Sequence, residues 1–112
     1  MYGSVMGMIA IGAYRVHEGR EDEFLEALRQ DLVTMREEGL ISDWPAMILK
    51  AGTNVYLQLV EWADEDAPGR SSSNERVMAI WTKKRILSDY LSLSEVPGAE
   101  RLFPSFEEIP NK

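Results

Sequence analysis

From Asn54 to Glu65 the chain reads Asn-Val-Tyr-Leu-Gln-Leu-Val-Glu-Trp-Ala-Asp-Glu, and it opens with two-residue alternation. Alternation of that period is a strand signal, because successive strand side chains point to opposite faces. Val55, Leu57 and Leu59 point one way. Tyr56, Gln58, Val60 and Trp62 point the other. The first row reads as ordinary core beneath helices. The second mixes aromatics with an amide and reads as the wall of a pocket.

The rest of the chain is read around this strand. Val5 to Val16 is a first strand, with Ile9 and Ile11 on one face and Met6, Met8, Ala10, Gly12, Tyr14 and Val16 on the other. Gly12 fits either a bulge or close backbone contact, or a place beside a pocket. His17 to Arg20 is a turn. A first helix follows over Glu21 to Glu38, with acidic residues in its first turn and Phe24, Leu28, Leu32 and Met35 on one stripe. Gly39 is its expected C-terminal glycine, with Leu40 beyond it. Ala46 to Ala51 is a second strand, and Gly52-Thr53 turns it into the third as an antiparallel hairpin. Asp64 to Ser73 is a loop, and Ser72 with Glu75 has the spacing of a capping box. A second helix runs from Ser73 to Leu91, with Lys83, Lys84 and Arg85 as a solvated face. Leu102 to Ile109 is a final strand, with Pro104 suggesting an edge or a bulge.

This order, β-α-β-β-α-β, predicts an α+β, ferredoxin-like fold: a four-stranded antiparallel sheet with both helices on one face. A single domain over residues 1–112 suits the length, and such a chain buries roughly 65% of its unfolded surface. The other sheet face would expose Met6, Met8, Tyr14, Tyr56, Val60 and Trp62, which two sheets packed face to face would cover. The chain is therefore expected to pair with itself as a homodimer enclosing a cavity between sheets. Phe103 and Phe106 are expected to tie the chain end into that structure.

Composition removes several function classes. A net charge of -7 disfavours nucleic acid and anionic membrane surfaces as partners. The absence of cysteine excludes disulfides, thiolate nucleophiles and Cys-ligated metals, and fits a reducing cytoplasm. The apolar run Val5 to Ala13 is too short to span a bilayer, and no basic segment precedes it, so a secretory signal is not expected. There is no phosphate-binding glycine loop, no HExxH and no GxSxG elbow.

Two segments resemble small proteins of the antibiotic biosynthesis monooxygenase type. Tyr14-Arg15-Val16-His17-Glu18-Gly19-Arg20-Glu21-Asp22-Glu23-Phe24 is similar to their strand, glycine turn and helix start. Glu61-Trp62-Ala63-Asp64, with Ala67 beyond, is similar to their strand end. The element order agrees over residues 5 to 109. The resemblance implies a dimeric α/β barrel. Some members oxygenate polycyclic phenols with no metal or flavin, and an Asn four residues before the Trp helps hold the substrate. Gln58 stands at that position here, with a longer arm. Haem-degrading members use an Asn on the first strand and a His on the second helix. Gly12 takes the first place and the second helix has no His, so haem degradation is rejected.

Cofactor-free oxygenation requires a substrate that can itself give an electron to oxygen, held in a dry cavity that stabilises the resulting anion. Gln58 and Trp62 are the candidate catalytic residues. Tyr14, Tyr56, Trp62, Asn74 and Trp81 are the candidate substrate contacts. Each has a plainer reading: a satisfied interface for Tyr56, Gln58 and Trp62, helix–sheet core for Trp81, and a helix start for Asn74. His17, the one histidine, could transfer protons near neutral pH but stands in a charged turn. No cofactor is expected, and with one His and no Cys no metal site is expected. Two classes follow: a cofactor-independent monooxygenase acting on an aromatic or quinone-like molecule, or a non-catalytic ligand-binding or assembly protein on the same barrel.

Overall fold

The structure, a computed structural model, describes residues 7–111. The sequence-expected start of the first strand, Val5 and Met6, lies outside them. Strand β1 (Ile9–Val16) passes through a turn at Gly19, φ 80°, into helix α1 (Glu21–Glu37). The helix stops at Gly39, whose φ of 71° suits a residue without a Cβ. There the Leu40 N–H donates to Met35 O and the Gly39 N–H to Arg36 O, which satisfies carbonyls the helix leaves unpaired. Leu40 is buried, as expected of the apolar residue after such a stop.

Strands β2 (Met47–Ala51) and β3 (Val55–Glu61) form the hairpin that Gly52 predicts. A short helix α2 (Ala67–Ser72), with Pro68 in its first turn, replaces the loop expected there. Helix α3 (Glu75–Leu87) starts at Asn74, whose side chain accepts from the Val77 N–H at 3.0 Å. Asn74 is thus the cap, and the expected Ser72–Glu75 capping box does not form, because Ser72 ends α2. Strand β4 (Ser88–Leu91) follows without a loop, and β5 (Glu107–Ile109) closes the chain after a 3₁₀ turn at Leu93–Glu95.

The fold is α+β and ferredoxin-like, but its antiparallel sheet has five strands rather than the expected four, in the order β4-β1-β3-β2-β5. The fourth strand of the pattern is β4, whose residues were expected to continue the helix. Val16 pairs with Ser88, and Tyr14 with Tyr90. Leu87 and Leu91 suit a helical stripe, but pairing with the β1 edge overrides that local pattern. The expected final strand is the extra one, shortened to three residues at the β2 edge.

The strand faces are opposite to expectation. Gly12 lies opposite Gln58, Tyr14 opposite Tyr56, and Ala10 opposite Val60. This row, together with Trp62, packs against Phe24, Leu28, Leu32, Met35 and Val77 of the helices. Leu57 and Leu59 do not lie beneath the helices. They share the other face with Ala13, Leu49 and Val55, and Val96, Ala99 and Phe106 of the C-terminal segment cross over it. Phe106 is anchored there, whereas Phe103 is 83% exposed. The polar strand residues turn towards the helices because the helices carry their partners.

Candidate functional site

Helix α1 places Asp31 seven residues after Phe24, on the buried stripe of the helix. Helix α3 places Lys84 seven residues after Val77, also on its buried side. The two helices pack together, so these charges meet: Lys84 Nζ lies 2.8 Å from Asp31 Oδ2, with both side chains almost wholly out of solvent. Strands β1 and β3 bring two more polar groups beneath them. Lys84 also donates to Tyr14 Oη at 3.1 Å and to Gln58 Oε1 at 3.1 Å. Tyr14 Oη donates to Gln58 Oε1 at 2.9 Å, and Gln58 Nε2 donates to Asp31 Oδ2 at 2.9 Å. The Trp81 indole donates to Asp31 Oδ1 at 2.9 Å. Charge-assisted bonds of this kind are needed where charges leave water.

The network forms one end of a pocket of about 200 Å³ between helices and sheet. Ala10, Gly12, Met35, Val60, Trp62 and Tyr90 supply much of the remaining wall. A cavity near ~150 Å³ holds a benzene ring. Gly12 is required for this geometry. A Cβ there would stand 2.6 Å from Tyr14 Oη, displacing the hydroxyl that Gln58 and Lys84 hold.

Four of the sequence-predicted site residues line this pocket: Tyr14, Gln58, Trp62 and Trp81. Trp81 packs against the helix–sheet core and also forms pocket wall. Tyr56 and Asn74 stand outside it. Tyr56 is buried near Phe24 and donates to Glu21 at 2.8 Å, while Asn74 caps α3 and donates to Glu38 at 2.8 Å. His17 lies 3.4 Å from Asp89 in a half-exposed contact away from the pocket. Sequence reading missed Asp31 and placed Lys84 on a solvated face. The signal was a charged residue at seven-residue spacing from the first apolar anchor on each helix. Among the described residues, no group of three His, Cys, Asp or Glu side chains converges as a metal site would require.

Burial raises the Tyr14 hydroxyl above the usual tyrosine range, against the opposing pull of Lys84. Burial alone would lower Lys84, but Tyr14 and Asp31 outweigh it, and its ammonium is held above the usual lysine range. Tyr56 is also raised, by burial and then by its bond to Glu21. All three therefore bind their protons more tightly folded than unfolded. Their stabilisation is complete below about pH 10, where unfolded Tyr and Lys begin to titrate, and is lost as pH rises through the folded values. Thermal melts across the alkaline range should show a falling Tm, with the midpoint highest below that threshold. A Tm that stayed flat or rose there would contradict the network.

The family model for antibiotic biosynthesis monooxygenase matches residues 7–80. The match covers β1 through the first turns of α3, and with them Tyr14, Asp31, Gln58 and Trp62, and ends before Trp81 and Lys84. The chain matches no curated protein and no solved structure. A match over well more than half of the sequence, on a ferredoxin-like sheet, places the chain in the antibiotic biosynthesis monooxygenase family.

Proposed function

We propose that the chain is a small monooxygenase-like protein that needs no cofactor and holds an aromatic or quinone-like molecule between helices and sheet. The observation that carries this reading is a polar network at one end of an otherwise apolar, tryptophan-walled pocket. A few convergent polar groups in an apolar cleft are the usual form of a small-molecule site. The volume of about 200 Å³ is below the usual ~300–1,000 Å³ and suits one or two fused rings. Trp62 and Trp81 supply wall surface, and Gln58 presents an amide.

In such chemistry the substrate supplies the electrons. A phenolic ring loses its hydroxyl proton to give an anion with carbanion character at a ring CH, which passes one electron to O₂. The radical and superoxide combine as a peroxide anion, which takes back a proton, and loss of water from the resulting hydroperoxide leaves a ring carbonyl. One oxygen atom ends in the product and the other in water. The residues of the chain orient the ring, exclude bulk water and place donors where the anion forms.

A specific observation favours the non-catalytic alternative. Lys84 spends all three donors within the network, and Asp31 accepts from three groups. Among the described residues of the pocket, no carboxylate stands free to act as a base. Oxygen uptake with one- and two-ring phenols and quinols separates the two. The enzyme reading predicts uptake faster than autoxidation, reduced at least about tenfold in Trp62→Ala, as loss of substrate positioning allows. Ring binding without such uptake would select the binding protein. Failure to bind any ring would overturn both.

The other sheet face motivates the proposed homodimer. Ile9, Ile11 and Leu93 are about half exposed, beside Leu57 and Leu59. A continuous aliphatic face of this sort is seldom left in water. Sedimentation should give a dimeric mass, and Leu59→Asp should give a monomeric one. A monomeric wild type at micromolar concentration would overturn the pairing.

A further inference from the structure

Bond parity along β1 shows where its main-chain groups point. In an antiparallel ladder, bonded pairs recur at every second residue, and the residues between them turn their N–H and C=O to the other side. The Val16 N–H donates to Asn54 O at 2.9 Å, and the Trp62 N–H donates to Met8 O at 3.0 Å. The register between these contacts makes Ala10, Gly12 and Tyr14 the residues bonded to β3. Ile9, Ile11, Ala13 and Arg15 therefore turn outward. The His17 N–H donates to Leu87 O at 2.9 Å in that same direction, and Ala13 and Arg15 face Leu91 and Asp89 of β4. Strand β4 ends at Leu91, so among the described residues the N–H and C=O of Ile9 and Ile11 have no partner.

This open stretch lies between two cavities. The helix–sheet pocket of about 200 Å³ reaches Ala10 and Gly12 and extends outward to Tyr90 of β4, which is 51% exposed. A second cavity, of about 550 Å³, lies on the opposite face, between Leu49, Leu57 and Leu59 of the sheet and Leu93, Val96 and Phe106 of the C-terminal segment. Ile11 lines both, and its half-exposed side chain belongs to the aliphatic face. An unpaired strand edge is a template for another strand. Alternate side chains of an added strand fall on opposite faces of the sheet.

We propose that the β1 edge from Ile9 to Gly12 takes an extended apolar peptide as an added antiparallel strand. Residues directly opposite one another share a face. The peptide residues opposite Ile9 and Ile11 are therefore aliphatic and lie towards the second cavity. The residue between them, opposite Ala10, is aromatic and enters the helix–sheet pocket, whose volume accepts one benzene ring. Main-chain bonds supply affinity, and cavities on alternate faces supply side-chain selection. Glu61 stands opposite Ile9 and Glu100 lines the second cavity, in a chain of net charge -7, so flanking cations suit this edge and acidic residues do not. Two sheets packed face to face leave the edge open, because its bonding groups lie in the plane of the sheet. The proposal goes beyond the small-molecule reading and is decided apart from oxygen uptake.

Calorimetric titration of the wild-type protein with acetyl-Lys-Ile-Phe-Ile-Lys-amide tests this. In the added strand both peptide Ile N–H groups donate to the C=O groups of Ile9 and Ile11, while the peptide Phe N–H points away. N-methylation of both Ile nitrogens should weaken binding at least about tenfold, and N-methylation of the Phe nitrogen should change it less than about threefold. Replacing the peptide Phe with Gly should also weaken binding at least about tenfold, since no ring is then buried. Amide exchange followed by NMR should slow at Ile9 and Ile11 when the peptide is added. Absence of binding, or equal losses from Ile and Phe methylation, would overturn the proposal. Unchanged affinity of the Gly peptide would overturn the seating of the ring. Protection of Ile9 and Ile11 in the protein alone, released on dilution, would overturn the proposal by showing a second copy on that edge.

Discussion

Asp31→Ala should lower unfolding free energy by about 3–5 kcal/mol, the cost of leaving a buried charge without its partner. Lys84 would then sit 2% exposed, with only the oxygens of Tyr14 and Gln58 around its ammonium. The Gln58 amide and the Trp81 indole would each lose an acceptor in the same step. For a domain whose total stability is of order 5–15 kcal/mol, this is a large fraction. The double variant Asp31→Leu with Lys84→Met should recover much of the loss, since apolar replacement of both partners removes the uncompensated charge. Denaturant unfolding measures both variants. A loss below about 1 kcal/mol for Asp31→Ala would mean the pair is open to water, as exposed ion pairs are.

Phe24→Ala should cost about 3–5 kcal/mol, as truncation of a wholly buried aromatic does. Phe24 has 0% exposure, and its ring centroid lies 5.2 Å from Tyr14 and 6.2 Å from Tyr56. It is the apolar support on which the Tyr14 ring rests, so the same substitution should also loosen the hydroxyl that Gln58 and Lys84 hold. Chemical denaturation reads the stability term. A small effect would mean that the α1 stripe does not form the core of the helix–sheet layer.

The first half of the chain was largely legible in its sequence. Apolar spacing and Gly39 bounded α1, and alternation with Gly52 gave the β2–β3 hairpin. What alternation cannot say is which row of a strand meets the helices. Tyr56, Gln58, Val60 and Trp62 looked too polar for core. They are core-facing because Asp31, Trp81 and Lys84 approach from the helices, and that network joins residues up to 70 positions apart. Lys84 was hidden inside Lys83-Lys84-Arg85, where its neighbours are exposed and only its helical register turns it inward. Strand β4 was hidden for a related reason. The spacing of Leu87 and Leu91 suits a helix, and only the free edge of β1 turns Ser88–Leu91 into a strand. Of the residues singled out from the sequence, Tyr14, Gln58, Trp62 and Trp81 line one pocket, and it lies between helices and sheet rather than between two sheets.

The central claim, that the helix–sheet pocket is where a small aromatic molecule sits, can be tested through the three tryptophans of the chain. Trp62 and Trp81 line the pocket, and the Trp81 indole is held by Asp31. Trp44 lies elsewhere, among Pro45, Met47 and Asn111. Assigned indole N–H resonances should be followed by NMR as 1-tetralone is added. The pocket reading predicts that the Trp62 and Trp81 signals move together and saturate, while Trp44 stays still. Movement of Trp44 alone, or of none of the three, would contradict it.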